Sequence, residues 1–216
     1  MTSVSQNNLP YTHNTDALID TIRRCEVCAY SKPPLPVTPN PIVSGTRASK
    51  IRIIGQAPGT LAHASSLPFD DPSGNRLRDW LGVDRAAFYN PDFFAITPMG
   101  FCFPGQDKKG GDLPPRKECA PLWQEALTQA LPEIELTLLV GMYAVKRYLG
   151  PRMERTLTET VRKWPSFGQT LLPLPHPSWR NNVWIKKHDW FADELVELKR
   201  RVGKIIGEEN TKTGLA

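Results

Sequence analysis

No stretch of this chain is long and apolar enough to span a bilayer, and its opening residues, MTSVSQNNLPYTHNTD, lack the basic-then-apolar order of a secretory leader. Neither a membrane anchor nor an export signal is expected, and the chain reads as cytoplasmic. Cysteine is scarce, four in 216 residues, and a chain of this length buries a sizeable core without disulfide staples. Internal repeats are missing, which excludes a solenoid or propeller. Neither sign of charge dominates. Lys and Arg number 27 against 22 for Asp and Glu, a net +5 that suits a polyanion partner without demanding one.

Proline is plentiful, with 21 residues clustered in PPLPVTPNP (33–41), DLPPRKECAP (112–121) and PLPHP (173–177). Stiffened loops around a compact scaffold follow, and such loops often carry function. Four short apolar runs, at 51–54, 93–97, 136–140 and 170–174, read as buried strands. Helical spacing is expected from Thr15 to about Ala29, from a cap at Ser73 to Gly82, over Glu118–Leu131 and Gly141–Leu149, and from about Asp189 to Val202. Strands alternating with helices predict a three-layer α/β/α sandwich around a parallel sheet of four strands. One domain over 15–203 is expected, with a disordered tail at 1–14 and a second tail at 204–216.

In parallel sheets, ligands sit at the carboxyl ends of the strands. Two motifs fall there: GQAPG (55–59) after the first strand and HPSWRN (176–181) after the last. The first lacks the Lys and Ser/Thr of a P-loop and the spacing of a dinucleotide fingerprint, and alone it reads as a tight turn. The second holds His176 between Pro175 and Pro177, in a loop more polar and rigid than a core histidine usually occupies. Four cysteines, Cys25-x2-Cys28 followed by Cys102 and Cys119, point to a metal site, either [4Fe–4S] or zinc.

Together GQAPG and HPS resemble the two signature motifs of the uracil-DNA glycosylase superfamily. Between them, PFDDPSG (68–74), AITPMGFCFP (95–104), PRKECAPLW (115–123) and LLVGMYAVKRYLG (138–150) are similar in order and spacing to its iron–sulfur families 4 and 5. The resemblance implies the same α/β/α fold and a monofunctional enzyme of base-excision repair that flips a deaminated base, uracil foremost, out of DNA. By resemblance, Gln56 occupies the catalytic position of the first motif, the backbone of Gln56-Ala57 lines the base pocket, and Phe69 stacks on the base. His176 donates to the base oxygen where charge accumulates. Ser178 clamps a phosphate, Trp179 and Arg180 enter the DNA, and Lys186 and Lys187 add phosphate contact. The bland alternatives are loop packing for Trp179 and solvated charge for the lysines. Cys25, Cys28, Cys102 and Cys119 would ligate a structural [4Fe–4S] cluster, with zinc as the alternative.

Two positions depart from the resemblance. Positions 56 and 57 are Gln and Ala, so the first motif has no carboxylate, and Asp71 of D-P-S-G is the expected acid unless it and Asp70 only cap a helix. Where uracil readers place an Asn stands Pro98, which has no amide to offer, so the base would be read around Met99 and Gly100. Alternatives follow: a glycosylase for hypoxanthine or xanthine, a non-excising DNA-binding protein of the same fold, or an enzyme acting on free nucleosides. A monomer is expected.

Overall fold

The computed structural model describes residues 14–207. Both expected tails therefore lie largely outside the described residues. Four strands, β1 (Ile51–Ile54), β2 (Phe94–Ile96), β3 (Leu136–Val140) and β4 (Leu171–Leu174), form an all-parallel sheet in the order β2-β1-β3-β4. The α-helices are α1 (Thr15–Arg23), α2 (Thr60–Ser65), α3 (Pro72–Leu81), α4 (Arg85–Phe88), α5 (Cys119–Ala130), α6 (Met142–Leu149), α7 (Leu157–Arg162), α8 (Asn182–Lys187) and α9 (Trp190–Ile206).

Side chains alternate across the pleat, so each strand feeds two cores. Ile51, Ile53, Leu136, Leu138 and Val140 join Leu77 and Trp80 of α3 and Phe191, Leu198 and Val202 of α9 on one face. Ile54 and Leu139 join Ala120, Ala144, Val145 and Met99 on the other, under α5 and α6. These are the three expected layers. Pro173 is tolerated within β4 because β4 is an edge strand, where a missing amide costs no ladder bond on the open side.

Several boundaries differ from the sequence expectation. The first helix stops at Arg23, and Val27–Ala29 forms a separate 3-10 turn that carries Cys28. Asp71, not Ser73, caps α3. Its backbone is extended, Pro72 supplies the first helical residue, and the carboxylate accepts the Gly74 amide at 2.7 Å. The last helix runs on to Ile206, whose side chain is buried in the core, so the domain does not end at 203.

Candidate active site

Three of the four strands, β1, β2 and β4, deliver their carboxyl ends to one cleft of about 510 Å³, and the turn after β3 packs against His176. Gly55–Gly59 leaves β1, Pro98 follows β2, Gly141 follows β3, and His176 follows β4. Cross-links between these loops set their spacing: the Met99 amide donates to the Gly55 carbonyl at 2.9 Å and Gly100 to Gln56 at 3.0 Å. Gly141 has φ +86°, and a Cβ there would lie 3.5 Å from the His176 ring and Cβ. That separation is ordinary contact, so it is the positive φ of the β3 turn that calls for glycine.

Phe69 forms one wall. Its ring end would come within 3.1 Å of a Cβ on Gly55, so the first glycine of GQAPG admits the aromatic against the loop backbone. Phe69 itself sits at φ +55°, a conformation rare for a non-glycine residue and often found at functional sites. It is held from behind. A Cβ at Gly74 would collide with the Phe69 carbonyl, and Phe88 meets the ring edge-on with centroids 6.3 Å apart. The glycine of D-P-S-G thus serves the aromatic as much as the helix.

His176 stands opposite, half-buried, with its orientation set by neighbours. The Ser178 amide donates to Nδ1 at 3.2 Å, Asn181 Nδ2 donates to the His176 carbonyl at 2.6 Å, and Asn181 lines the cleft beside it. A ring whose Nδ1 accepts carries its proton on Nε2 when neutral. Burial pushes the imidazole below its ordinary value, only partly opposed by Asp71 and Asp112. The loop is tied to α3 by Arg76, whose guanidinium donates to the carbonyls of Pro177 at 3.2 Å and Ser178 at 2.9 Å.

Of the residues singled out in the sequence, Gln56, Ala57, Phe69, Asp71, Pro98, His176, Ser178, Trp179 and Arg180 all line this cleft. Trp179 is 71% exposed at its mouth. Met99 is instead buried among Ile54, Ala120 and Leu139, so its side chain belongs to the core. Lys186 and Lys187 end α8 on the exposed surface and do not line the cleft. Asp70 pairs with Arg85 at 2.9 Å, which holds its carboxyl below the usual range. Arg76, Asn181 and Asp112 were not anticipated.

The floor is braced by buried polar groups. Arg52, on the β1 face away from Ile53, donates to Thr97 Oγ1 at 2.8 Å, Thr128 Oγ1 at 2.8 Å and Gln124 Oε1 at 2.7 Å. Gln124 Nε2 then donates to the carbonyls of Thr97 at 3.1 Å and Pro98 at 2.8 Å. Within this Arg52–Gln124 network no buried side-chain polar atom is left without a partner.

The four cysteines converge although they come from three segments. Cys25, Cys28, Cys102 and Cys119 surround one small cavity together with Pro41, Phe101 and Arg116. Among the described residues no three His, Cys, Asp or Glu side chains close on a single metal-ion position. The thiols instead ring a shared space. Burial pushes Cys102 and Cys119 up to about 12, so as thiolates they need compensating positive charge. Arg116 contributes a buried Nε with no acceptor, and the Phe101 amide donates to Cys119 Sγ at 3.4 Å. Such a donor set fits a sulfur-rich, cationic group.

A family model for the uracil DNA glycosylase superfamily matches residues 43–198. The chain belongs to this superfamily, whose members are generally DNA glycosylases. The matched span takes in both glycine-proline and histidine-proline motifs, Cys102 and Cys119, while Cys25 and Cys28 precede it.

Proposed function

We propose that this protein is a monofunctional DNA glycosylase that extrudes a deaminated base, uracil foremost, and hydrolyses its N-glycosidic bond. The observation that carries the reading is His176. A neutral imidazole whose Nδ1 is occupied by the Ser178 amide offers an Nε2–H donor, and it stands in a cleft walled by Phe69. Charge grows on a base oxygen as the bond breaks, and a fixed donor aimed there stabilises the transition state more than the ground state. Phe69 stacks on the extruded base and Gly55–Ala57 supply backbone against its edge. Asp71 retains one carboxylate oxygen beyond its helix cap to orient water. Ser178, Trp179 and Arg180 meet the DNA backbone and the gap left by the base.

The kinship extends in this proposal to the iron–sulfur branches, families 4 and 5. Cys25, Cys28, Cys102 and Cys119 would hold a [4Fe–4S] cluster, and four sulfurs ringing a cavity rather than meeting at a point favour it over zinc. When bound, the cluster supplies structural cross-linking. Held by these four residues, it would join the segment after α1 to the loop after β2 and to the start of α5.

A second reading, damaged-DNA binding without excision, is favoured by one feature: neutral Gln56 and Pro98 at two positions that usually carry chemistry. Base release separates the two. Labelled oligonucleotides holding one uracil, hypoxanthine or xanthine, single- or double-stranded, are incubated with wild type and His176→Ala. Release by wild type, reduced roughly 10²–10³-fold in the variant, is expected. Tight binding with no release from any substrate would sink the enzymatic reading.

A further inference from the structure

Cleaving a C1′–N bond so that the electron pair departs on the base leaves positive charge on the sugar. An enzyme that lowers this barrier sets fixed negative charge opposite it. The first loop has none to give, since Gln56 and Ala57 are neutral. Two carboxylates line the cleft, Asp71 and Asp112, and both bear electrostatically on His176.

Their commitments differ. Asp71 Oδ1 is taken by the Gly74 amide at 2.7 Å, where it caps α3. Asp112 arrives on a separate loop, a turn closed by an antiparallel bridge between Gln106 and Asp112. Gln106 Nε2 donates to Asp112 Oδ1 at 3.1 Å. The other oxygen, Oδ2, would lie 3.3 Å from a Cβ on Gly59, the second glycine of the first motif. A Cβ there would make the carboxylate give by a few tenths of an ångström, so glycine leaves it room beside the loop.

The turn is also braced internally. Asp107 Oδ1 accepts the amides of Lys109 at 2.8 Å and Gly111 at 2.9 Å, and the Leu113 amide donates to Gly105 at 2.9 Å. Gln56 Nε2 reaches the Leu113 carbonyl at 3.4 Å, so the first motif is joined to the strand-like limb that carries Asp112.

We infer that Asp112 is a catalytic residue that faces the sugar, delivering from a separate loop the negative charge that Gly55–Gly59 lacks. This rests on the glycosylase reading. In the step, the C1′–N bond breaks and both electrons leave with the base, whose oxygen accepts the His176 Nε2–H hydrogen bond. Water forms the new C1′–O bond and passes its proton to the free oxygen of Asp71. Asp112 takes no proton; it remains an anion beside the sugar cation throughout.

The test uses two matched oligonucleotides. One carries a cationic pyrrolidine in place of the target deoxyribose, the other a neutral tetrahydrofuran. Wild type is expected to prefer the cation, Asp112→Asn to lose roughly tenfold of that preference, and Asp112→Glu to keep most of it. Affinity for the neutral analogue stays within about twofold in both variants, while base release by Asp112→Asn falls about 10²-fold. An undiminished preference in Asp112→Asn, or equal loss of affinity for both analogues, overturns the assignment. Absence of base release from wild type overturns the reaction instead, and the cation preference still decides whether Asp112 faces the sugar site.

Discussion

His176 carries two loads that pull on its protonation. The catalytic use proposed for it needs a neutral ring with Nε2–H, and desolvation favours that form. The folded chain therefore binds fewer protons here than the unfolded chain between the lowered value and the ordinary 6.5. Stability attributable to this site is full above about pH 6.5 and declines as pH falls through that window. Urea midpoints of wild type and His176→Gln, followed from neutral to acid pH, should show wild type losing ground on the variant as protons are added. Parallel curves would mean that the ring titrates like an exposed one. Asp71 and Asp112 resist the depression, so the window is narrower than burial alone would make it.

At the level of single elements, α3 connects the two walls. Its cap is Asp71, its first turn packs Gly74 against Phe69, and its Arg76 holds two carbonyls of the histidine loop. Replacing Arg76 with Ala removes charge-assisted hydrogen bonds that typically contribute about 1.5–3 kcal/mol each when well formed. Partial exposure lowers that here, and about tenfold loss in kcat/KM is expected, with a thermal midpoint close to wild type. A large drop in midpoint with unchanged kcat/KM would make Arg76 a prop of the fold.

This bridging role is also where sequence reading ran out. The four strands were legible because each is a short apolar run between turn residues, and α5, α6 and α9 because their apolar spacing is regular. Phe69, Asp71 and His176 were legible because they sit inside compact motifs. Arg76 and Asp112 gave no local signal: an arginine on a helix and an aspartate in a glycine-rich turn resemble solvated charge until the tertiary fold brings them to the cleft. Pro98 lines the cleft and the next side chain, Met99, turns into the core, a difference that two adjacent residues outside any strand do not announce in sequence. Helices α2, α4, α7 and α8, four to six residues each, are too short to print a period on the sequence.

Across the whole molecule, the sheet separates its duties: loops at one end hold the cleft, while a satellite core beside α1 and α5 holds the cysteines. Ile19 and Ile22 of α1 pack with Phe101, Cys119, Trp123 and Leu127 in that satellite. The cluster proposed there would tether the first helix, whose other attachments include the Thr15 hydroxyl bond to the Ala130 carbonyl at 2.6 Å. Protein purified without oxygen is expected to contain iron and acid-labile sulfide. Cys119→Ser should lose both and lower the thermal midpoint. Stoichiometric zinc in their place would assign the cavity to a single ion.

The brace behind Pro98 bears on how such a protein changes its preference. The carbonyls of Thr97 and Pro98 are held by Gln124, itself gripped by Arg52 and by the Tyr148 hydroxyl at 2.8 Å. The backplate of the cleft is thus fixed independently of the side chain mounted on it. On the glycosylase proposal, exchange of that side chain would alter what an incoming base meets without disturbing the mount, as an interchangeable fitting does in a rigid socket. Single replacements at the front would then change the base accepted while the frame behind stays as it is.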